Sequence, residues 1–243
     1  PYCILPAAFC KSANAGRGAR SLPEMNGYTL GKRRRARYNR RTAGAARRAG
    51  TWGCADMELL ERRIRADGEV LPGGILKVDG FLNHQMDPQL LMELGREFHR
   101  LFAGEGVNKI LTIEASGIGP ACFTGLVFGC PVLFAKKNRT RNLSGEFWTS
   151  TVFSFTHHVE NTILVSKKYL GPGDRVLIVD DFLANGAALD GLITLCEEAG
   201  ASVAGAGICI EKAFQPGGGR IRARGVRVEG LARIRSMADC GEI

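Results

Sequence analysis

Residues 175–188 constrain the fold of this chain more than any other stretch. They open with a short apolar run, Val176 to Val179, whose β-branched residues predict a buried strand. Asp180 and Asp181 follow directly, and a run of small residues then leads into an amphipathic helical pattern that begins at Leu189. A strand that ends in acidic residues, turns through small side chains and enters a helix is typical of an anion site in an α/β sheet.

The small residues of this turn are predicted to bind a phosphate group. The start of a helix offers unpaired backbone N–H groups and the positive end of the helix dipole, and small side chains let a phosphate approach closely. The two aspartates cannot bind the phosphate, because their negative charges repel it. They suit sugar hydroxyls or a metal ion instead. The simpler alternative is an ordinary β–α unit of a doubly wound sheet. The predicted phosphate-binding residues are Ala184, Asn185, Gly186, Ala187 and Ala188.

A second strand–loop–helix unit precedes the first. The run from Lys109 to Glu114 predicts a parallel strand, and Ser116 and Gly117 follow it in a small-residue loop. The backbone N–H groups of Ser116, Gly117 and Ile118 in this loop suit a second anion. Because ligands of an open parallel sheet lie at the carboxyl ends of its strands, both anion sites are expected at one edge.

Cations are also expected at this edge. Lys136 and Lys137 directly follow a third predicted strand, at residues 131–135, and begin a basic loop. We interpret this loop as a mobile lid that brings cations to an anionic ligand; the alternative is a solvated basic loop. Lys212 stands at the end of a later predicted strand, beside Glu211, and the alternative for it is a surface cation.

The positive charge of the chain is confined to its first 56 residues. The whole sequence carries a net charge of +9, yet residues 1–56 hold 12 lysines and arginines against two acids. Residues 57–243 are therefore nearly neutral. The first segment lacks hydrophobic periodicity and is predicted to be a disordered basic leader. Its possible origins are a nucleic-acid arm, a transit peptide or, in our preferred interpretation, upstream translation before Met57. Residues 57–243 are predicted to form one domain. Within it, residues 70–83 are predicted to form a turn and an edge strand, and a helix is predicted to begin with Asp87 as its N-cap and Pro88 as its first residue.

The cysteines predict a reducing compartment. The eight cysteines contain no Cys-x-x-Cys pair, and several fall within apolar patterns, which is typical of small core residues. The sequence has no apolar run of 18 residues. A cytoplasmic location is the expectation.

Residues 175–188 resemble the phosphoribosyl pyrophosphate (PRPP) motif of the type I phosphoribosyltransferases. The loop lacks the threonines usual in that family, and its Ala-Asn-Gly form is similar to the branch that acts on xanthine. The resemblance implies an α/β fold with a central parallel sheet flanked by helices, a small N-terminal hood and a flexible lid hairpin. It covers about residues 57–239, with matching stretches at 76–79, 81–85, 112–117, 154–156, 211–217 and 231–234.

The resemblance implies transfer of the 5-phosphoribosyl group from PRPP to N9 of xanthine, giving XMP and pyrophosphate. PRPP carries a 5′-phosphate, two ribose hydroxyls and a pyrophosphate, which match the predicted groups one by one. Mg²⁺ is expected as a cofactor bound through PRPP, with no protein ligand assigned. The implied catalytic residues are Asp180, Asp181 and Lys137; PRPP-binding residues are Ser116, Gly117, Lys136 and residues 184–188; xanthine-binding residues are Leu76, Asn83, Phe182 and Lys212.

Two alternatives to this function stay open. A lysine at position 212 also fits guanine or hypoxanthine, so a hypoxanthine/guanine phosphoribosyltransferase is one alternative. A PRPP-sensing transcription regulator is another, but residues 1–56 predict no DNA-binding domain. The expected partners are the small molecules xanthine and PRPP and a second copy in a homodimer, with neither a membrane nor nucleic acid.

Overall fold

The computed structural model describes residues 57–137, 145–154 and 159–237. The predicted leader, most of the basic loop after Lys137 and the tip of the predicted lid hairpin lie outside these residues. The boundary at Met57 therefore stays a prediction. Within the described residues the helices are α1 (Met57–Asp67), α2 (Pro88–Phe102), α3 (Ile118–Phe128), α4 (Ala187–Glu198) and α5 (Gly217–Ala223). The strands are β1 (Glu69–Leu71), β2 (Ile75–Lys77), β3 (Lys109–Ile113), β4 (Val132–Ala135), β5 (Phe147–Ser154), β6 (Val159–Ser166), β7 (Arg175–Leu183), β8 (Ser202–Lys212) and β9 (Val228–Ile234).

Five parallel strands form the central sheet in the order β4-β3-β7-β8-β9. This confirms the predicted parallel sheet. On β7, Leu177 and Val179 pack into one hydrophobic core and Val176 and Ile178 into the other. A strand buried on both faces is apolar at consecutive positions, which explains the uninterrupted apolar run in the sequence.

Strand β7 is longer than predicted. The apolar run indicated a strand over Val176–Val179, but pairing with β8 continues as far as Leu183, which lies opposite Glu211. Asp180 and Asp181 therefore lie within the paired part of the strand instead of in the turn after it. The pairing holds the backbone of both residues in place, which fixes the direction in which each side chain leaves the strand.

Helices cover both faces of the sheet. Helix α2 packs in one core and α4 in the other. The predicted start of α2 is confirmed: the Asp87 carboxylate accepts hydrogen bonds from the N–H groups of Gln89 (3.1 Å) and Leu90 (3.2 Å), and Pro88 is the first helical residue. In the described part of the chain, no helix is both long enough and apolar enough to cross a membrane.

The hood, residues 69–83, differs from the prediction of a turn followed by an edge strand through residue 83. Strands β1 and β2 form a short antiparallel hairpin, and a π-helical turn follows at Asp79–Asn83. The reason is burial: Phe81 and Leu82 are fully buried, and the helical turn directs both of them into the core. An extended strand would point one of them outward.

The predicted lid hairpin is confirmed as an antiparallel pair, β5 and β6. It joins the central sheet through a bridge between Lys136 and Leu164. Val152 and Ile163 of the hairpin pack closely against Gly191 of α4. The hairpin therefore stands beside the start of α4, where the phosphate loop was predicted.

Candidate active site

The predicted site residues gather at the carboxyl edge of the central sheet. Strands β3, β7 and β8 end there, and each ends in a segment singled out from the sequence. These segments are the loop with Ser116 and Gly117, the acid pair with the loop at 184–188, and Lys212. The topology thus places two small-residue loops, two carboxylates and one ammonium at a single edge.

Asp180 lies in direct contact with the loop after β3. A Cβ atom on Gly117 would lie 2.6 Å from Asp180 Oδ1 and would also clash with Thr112 Oγ1. Asp180 is 6% exposed, and its Oδ1 accepts the N–H of Asp181 at 3.0 Å. Burial, followed by the charge of Asp181, raises the pKa of Asp180 well above its ordinary value. The ionised form of this carboxyl group beside the anion loop is therefore disfavoured.

Thr112 is a residue of this cluster that the sequence did not reveal. Its side chain is fully buried, and its hydroxyl has no hydrogen-bond partner among the described residues. A Cβ on Gly117 would meet both the Thr112 hydroxyl and Asp180 Oδ1, so Thr112 lies close to the Asp180 carboxylate. The sequence does not identify Thr112 as a site residue, because its hydroxyl comes close to Asp180 only when β3 and β7 pair.

The loop after β3 keeps two of its three predicted donors. The N–H of Ile118 is used within the turn, where it donates to the carbonyl of Ala115 at 3.1 Å. The N–H groups of Ser116 and Gly117 have no acceptor among the described residues. The predicted anion site therefore consists of two N–H groups and not of three.

The two lysines after β4 point in different directions. Lys137 donates its backbone N–H to the Glu114 carboxylate at 2.7 Å, and its charge acts to lower the pKa of Asp180, against the larger effect of burial. Lys136 instead holds its ammonium 5.8 Å from the centre of the Phe134 ring. Neighbouring residues of an extended chain face opposite sides, so the structure brings Lys137 to the acids and does not bring Lys136 there.

The loop at 184–188 leads into α4 as predicted. Gly186 is the N-cap residue, and the preceding Asn185 accepts the N–H of Ala187 through its Oδ1 at 2.9 Å. The following N–H groups of the first helical turn have no partner within the helix. The loop also rests on Gly217, whose N–H donates to the Ala184 carbonyl at 3.1 Å. The contribution of Gly217 was not predicted.

The groups assigned to the base lie between the hood and β8. Lys212 donates its ammonium to the Gly74 carbonyl of the hood at 3.0 Å and lies 5.7 Å from the centre of the Phe182 ring. Partial burial lowers the pKa of Lys212. Asn83 Nδ2 donates to Asp181 Oδ2 at 3.3 Å. Three of the four predicted base contacts thus meet at the acid pair and the hood.

Leu76 is the fourth predicted base contact, and the structure buries its side chain. Its side chain is 6% exposed and belongs to the hydrophobic core beneath the hood. The contact between Leu76 and the base therefore stays a prediction. A leucine in a two-faced hairpin cannot be assigned to cleft or core from its type alone.

Metal-binding groups are sparse in the described residues. No cluster of three or more His, Cys, Asp or Glu side chains there is arranged to hold a metal ion. The acid pair supplies two carboxylates side by side. Mg²⁺ often takes only one or two protein carboxylates and completes its shell with substrate phosphates and water, so this donor set fits it.

Comparisons with known proteins show the family to which this chain belongs. The family model described as phosphoribosyl transferase domain matches residues 79–218. The chain is 52% identical over 183 residues to xanthine phosphoribosyltransferase of Limosilactobacillus reuteri, a match that covers 75% of this chain and 96% of that protein. The corresponding enzyme of Stutzerimonas stutzeri is 55% identical (75% and 96% covered), and that of Lachnoclostridium phytofermentans is 57% identical (74% and 93% covered).

Solved structures support the fold. Adenine phosphoribosyltransferase of Rhodothermus marinus superposes with a TM-score of 0.60 at 23% identity, covering 73% of this chain and 98% of that one. The Trypanosoma brucei enzyme, in complex with AMP, pyrophosphate and ribose-5-phosphate, gives a TM-score of 0.63 at 15% identity, with 76% and 84% covered. Identities this low bear on the fold alone.

Proposed function

Because this chain belongs to the phosphoribosyltransferase family, we propose that it is a xanthine phosphoribosyltransferase, which converts xanthine and PRPP into XMP and pyrophosphate. The observation that carries the proposal is the 52–57% identity to xanthine phosphoribosyltransferases over at least 93% of their length. In the reaction, N9 of xanthine forms a bond to the anomeric carbon of PRPP. The bond from that carbon to the pyrophosphate oxygen breaks, and the proton leaves N9.

The carboxyl edge offers one group for each part of PRPP. The 5′-phosphate binds the first-turn N–H groups of α4 and the loop at 184–188. The ribose hydroxyls bind Asp180 and Asp181, whose carboxylates accept hydrogen bonds. The pyrophosphate binds the N–H groups of Ser116 and Gly117, with Lys137 nearby. Since charge builds on the leaving pyrophosphate, these donors stabilise the transition state more than the bound substrate.

Magnesium belongs to the proposal as a cofactor carried by PRPP. It would bind mainly oxygens of the substrate, beside the acid pair, because the described residues provide no cage for it. When bound, it neutralises part of the charge on the leaving pyrophosphate. Holding the sugar in register remains the task of Asp180 and Asp181.

The purine binds between Phe182 and the hood in this proposal. The Phe182 ring can stack on the base, and Lys212 can donate to an oxygen of the purine ring. Xanthine carries two such oxygens, whereas adenine carries an amino group that a cation disfavours. Guanine and hypoxanthine keep one oxygen at the six-position, so Lys212 alone leaves them as the second candidate substrates.

Product analysis tests the proposed reaction. The protein is incubated with PRPP, Mg²⁺ and xanthine, and XMP and pyrophosphate are quantified over time. We expect both products in equal amounts and no reaction when either PRPP or xanthine is omitted. PRPP binding without formation of any nucleotide from any purine would instead support the regulator alternative.

A homodimer is also part of the proposal. Helix α3 and the edge strand β4 expose apolar side chains on neighbouring surfaces: Leu126 is 67% exposed and Phe134 is 37% exposed. Exposed apolar patches of this kind mark interaction sites, and a second copy would cover this one. A cytoplasmic location completes the proposal, in keeping with the free thiols of Cys122, Cys130, Cys196 and Cys209.

We expect Leu126→Arg to convert the dimer into a monomer at micromolar concentration, because the substitution places a charge in the apolar patch. Light scattering after gel filtration measures the mass. Tyr169→Arg is the matched control, since Tyr169 is 54% exposed but follows β6 and belongs to neither α3 nor β4. A Leu126→Arg variant with the same mass as the Tyr169→Arg variant would exclude this face as the interface.

A further inference from the structure

Glu211 is a buried carboxylate to which the proposed reaction assigns no role. It is 2% exposed at the end of β8. Two guanidinium nitrogens of Arg222 donate to its two oxygens, at 2.7 and 3.0 Å, and Arg233 Nε lies 3.0 Å from Oε2. Burial alone would raise the pKa of Glu211, but the hydrogen bonds and charges of Arg222 and Arg233 outweigh burial and hold it below its ordinary value. Glu211 is therefore a fixed, paired negative charge.

One side of this charge cluster supports the phosphate loop. Gly218 packs directly against Glu211, since a Cβ there would clash with the carboxylate and would lie 2.6 Å from an Arg222 nitrogen. The adjacent Gly217 packs on the loop itself, and a Cβ there would lie 2.6 Å from the Gly186 nitrogen. Residues 217 and 218 are thus held between the Glu211–Arg222 pair and the loop backbone. A shift of the Glu211–Arg222 pair would therefore displace Gly217 and Gly218, against which the loop packs.

The other side of the cluster supports the base contacts. Lys212 directly follows Glu211 on β8, and it is the residue that reaches the hood carbonyl and the Phe182 ring. On β7, the residue opposite Glu211 is Leu183, which comes directly before the loop at 184–188. On β9, the residue opposite Glu211 is Arg233. Three neighbouring strand ends therefore meet at Glu211, and the carboxylate itself holds Arg222 and Arg233.

We propose that Glu211 is a positioning residue that fixes the 5′-phosphate loop and Lys212 relative to each other. Arg222 and Arg233 hold the carboxylate, the carboxylate holds Gly218 and the end of β8, and these hold the two binding groups. The inference rests on the proposed function. It assigns Glu211 no contact with substrate, so its effect is expected on the binding of both substrates together.

The variant Glu211→Gln tests this role, because it keeps the shape of the side chain and removes the charge that orients both arginines. We expect KM for PRPP and KM for xanthine each to rise about 10- to 100-fold, since displacements near 1 Å have effects of that size. The dissociation constant of PRPP alone, measured by calorimetry without any base, should rise by a similar factor. Glu211→Asp keeps the charge and should recover part of the loss in both KM values.

Glu97→Gln is the matched control. Glu97 is 5% exposed and accepts two hydrogen bonds from Arg100, at 2.9 and 2.6 Å, but both residues lie on α2. The same chemical change there should lower stability and leave both KM values unchanged. Equal KM values for the Glu211→Gln, Glu97→Gln and parent proteins would overturn the positioning role.

Two further arms keep the test decisive. If Glu211→Gln is recovered unfolded, Arg233→Gln removes only one partner, whose side chain is 57% exposed, and should raise both KM values several-fold; unchanged values overturn the proposal. If the parent protein makes no XMP, the proposed function fails by itself. PRPP calorimetry on Glu211→Gln and Glu97→Gln still decides whether Glu211 positions the phosphate loop.

Discussion

We expect Asp180→Asn to be more stable than the parent protein at neutral pH while losing at least about 100-fold in kcat/KM for PRPP. Asp180 is almost fully buried, and burial together with Asp181 raises its pKa, so its ionised form destabilises the fold. Asparagine has the same shape without the charge. It can still accept the N–H of Asp181, and its amide suits the neighbouring Thr112 hydroxyl, which has no partner among the described residues.

The stability gain should depend on pH in a defined direction. A carboxyl group whose pKa is raised in the folded protein favours folding while it is protonated, below the unfolded value of about 3.9. That contribution is lost as the pH rises through the folded pKa. The difference in unfolding free energy between Asp180→Asn and the parent should therefore be small near pH 4 and should widen toward neutral pH, to at least about 1 kcal/mol. A gain of that size corresponds to roughly 2–4 °C in Tm.

Asp181→Asn distinguishes the effect of removing a carboxylate charge from the effect of removing a buried one. Asp181 is only partly buried, so this variant should weaken PRPP use without a comparable gain in stability. Urea unfolding at several pH values and steady-state kinetics measure both effects. An Asp180→Asn protein that is less stable than its parent at pH 7 would contradict the destabilising role of this charge, and one that keeps its kcat/KM would remove Asp180 from the site.

Gly117→Ala should abolish most activity while the protein stays folded. The added Cβ would lie 2.6 Å from Asp180 Oδ1 and would clash with Thr112 Oγ1, and neither of these buried groups can move away freely. The loop must then shift away from the acid pair, which separates the pyrophosphate donors from the ribose contacts. We expect kcat/KM for PRPP to fall about 100-fold, because the reacting groups lose their mutual register.

Gly104→Ala is the control for the loss of a glycine. A Cβ at Gly104 would have no heavy atom within 4 Å, so full activity is expected. Circular dichroism should show both variants folded. Near-normal kcat/KM for Gly117→Ala would mean that the loop after β3 does not hold the pyrophosphate in contact with Asp180.

Local signals made the central features of the fold predictable. The apolar run before Asp180 predicts a strand buried on both faces, because its alternate side chains point to opposite sides of the sheet and each side packs in a core. Asp87 and Pro88 marked the start of α2 because the cap depends only on residues within one helical turn. The anion loops were predictable for the same reason, because the strand, the small-residue turn and the start of the helix are consecutive in the sequence.

Contacts between distant segments were not predictable. Glu211 meets Arg222 and Arg233 only because β8, α5 and β9 fold against one another, and no spacing in the sequence indicates it. Likewise, Lys136 and Lys137 look equivalent in sequence, and only the course of the chain after β4 separates them. The hood was mispredicted because burial of Phe81 and Leu82 overrode the extended pattern.

A competition experiment tests the central claim most directly. Xanthine, guanine, hypoxanthine and adenine are supplied in equal concentration with limiting PRPP and Mg²⁺, and the nucleotides formed are quantified by mass spectrometry. Their ratio gives the ratio of kcat/KM values for the four bases. We predict that XMP predominates. A product mixture dominated by GMP, IMP or AMP would contradict the assignment of this chain as a xanthine phosphoribosyltransferase.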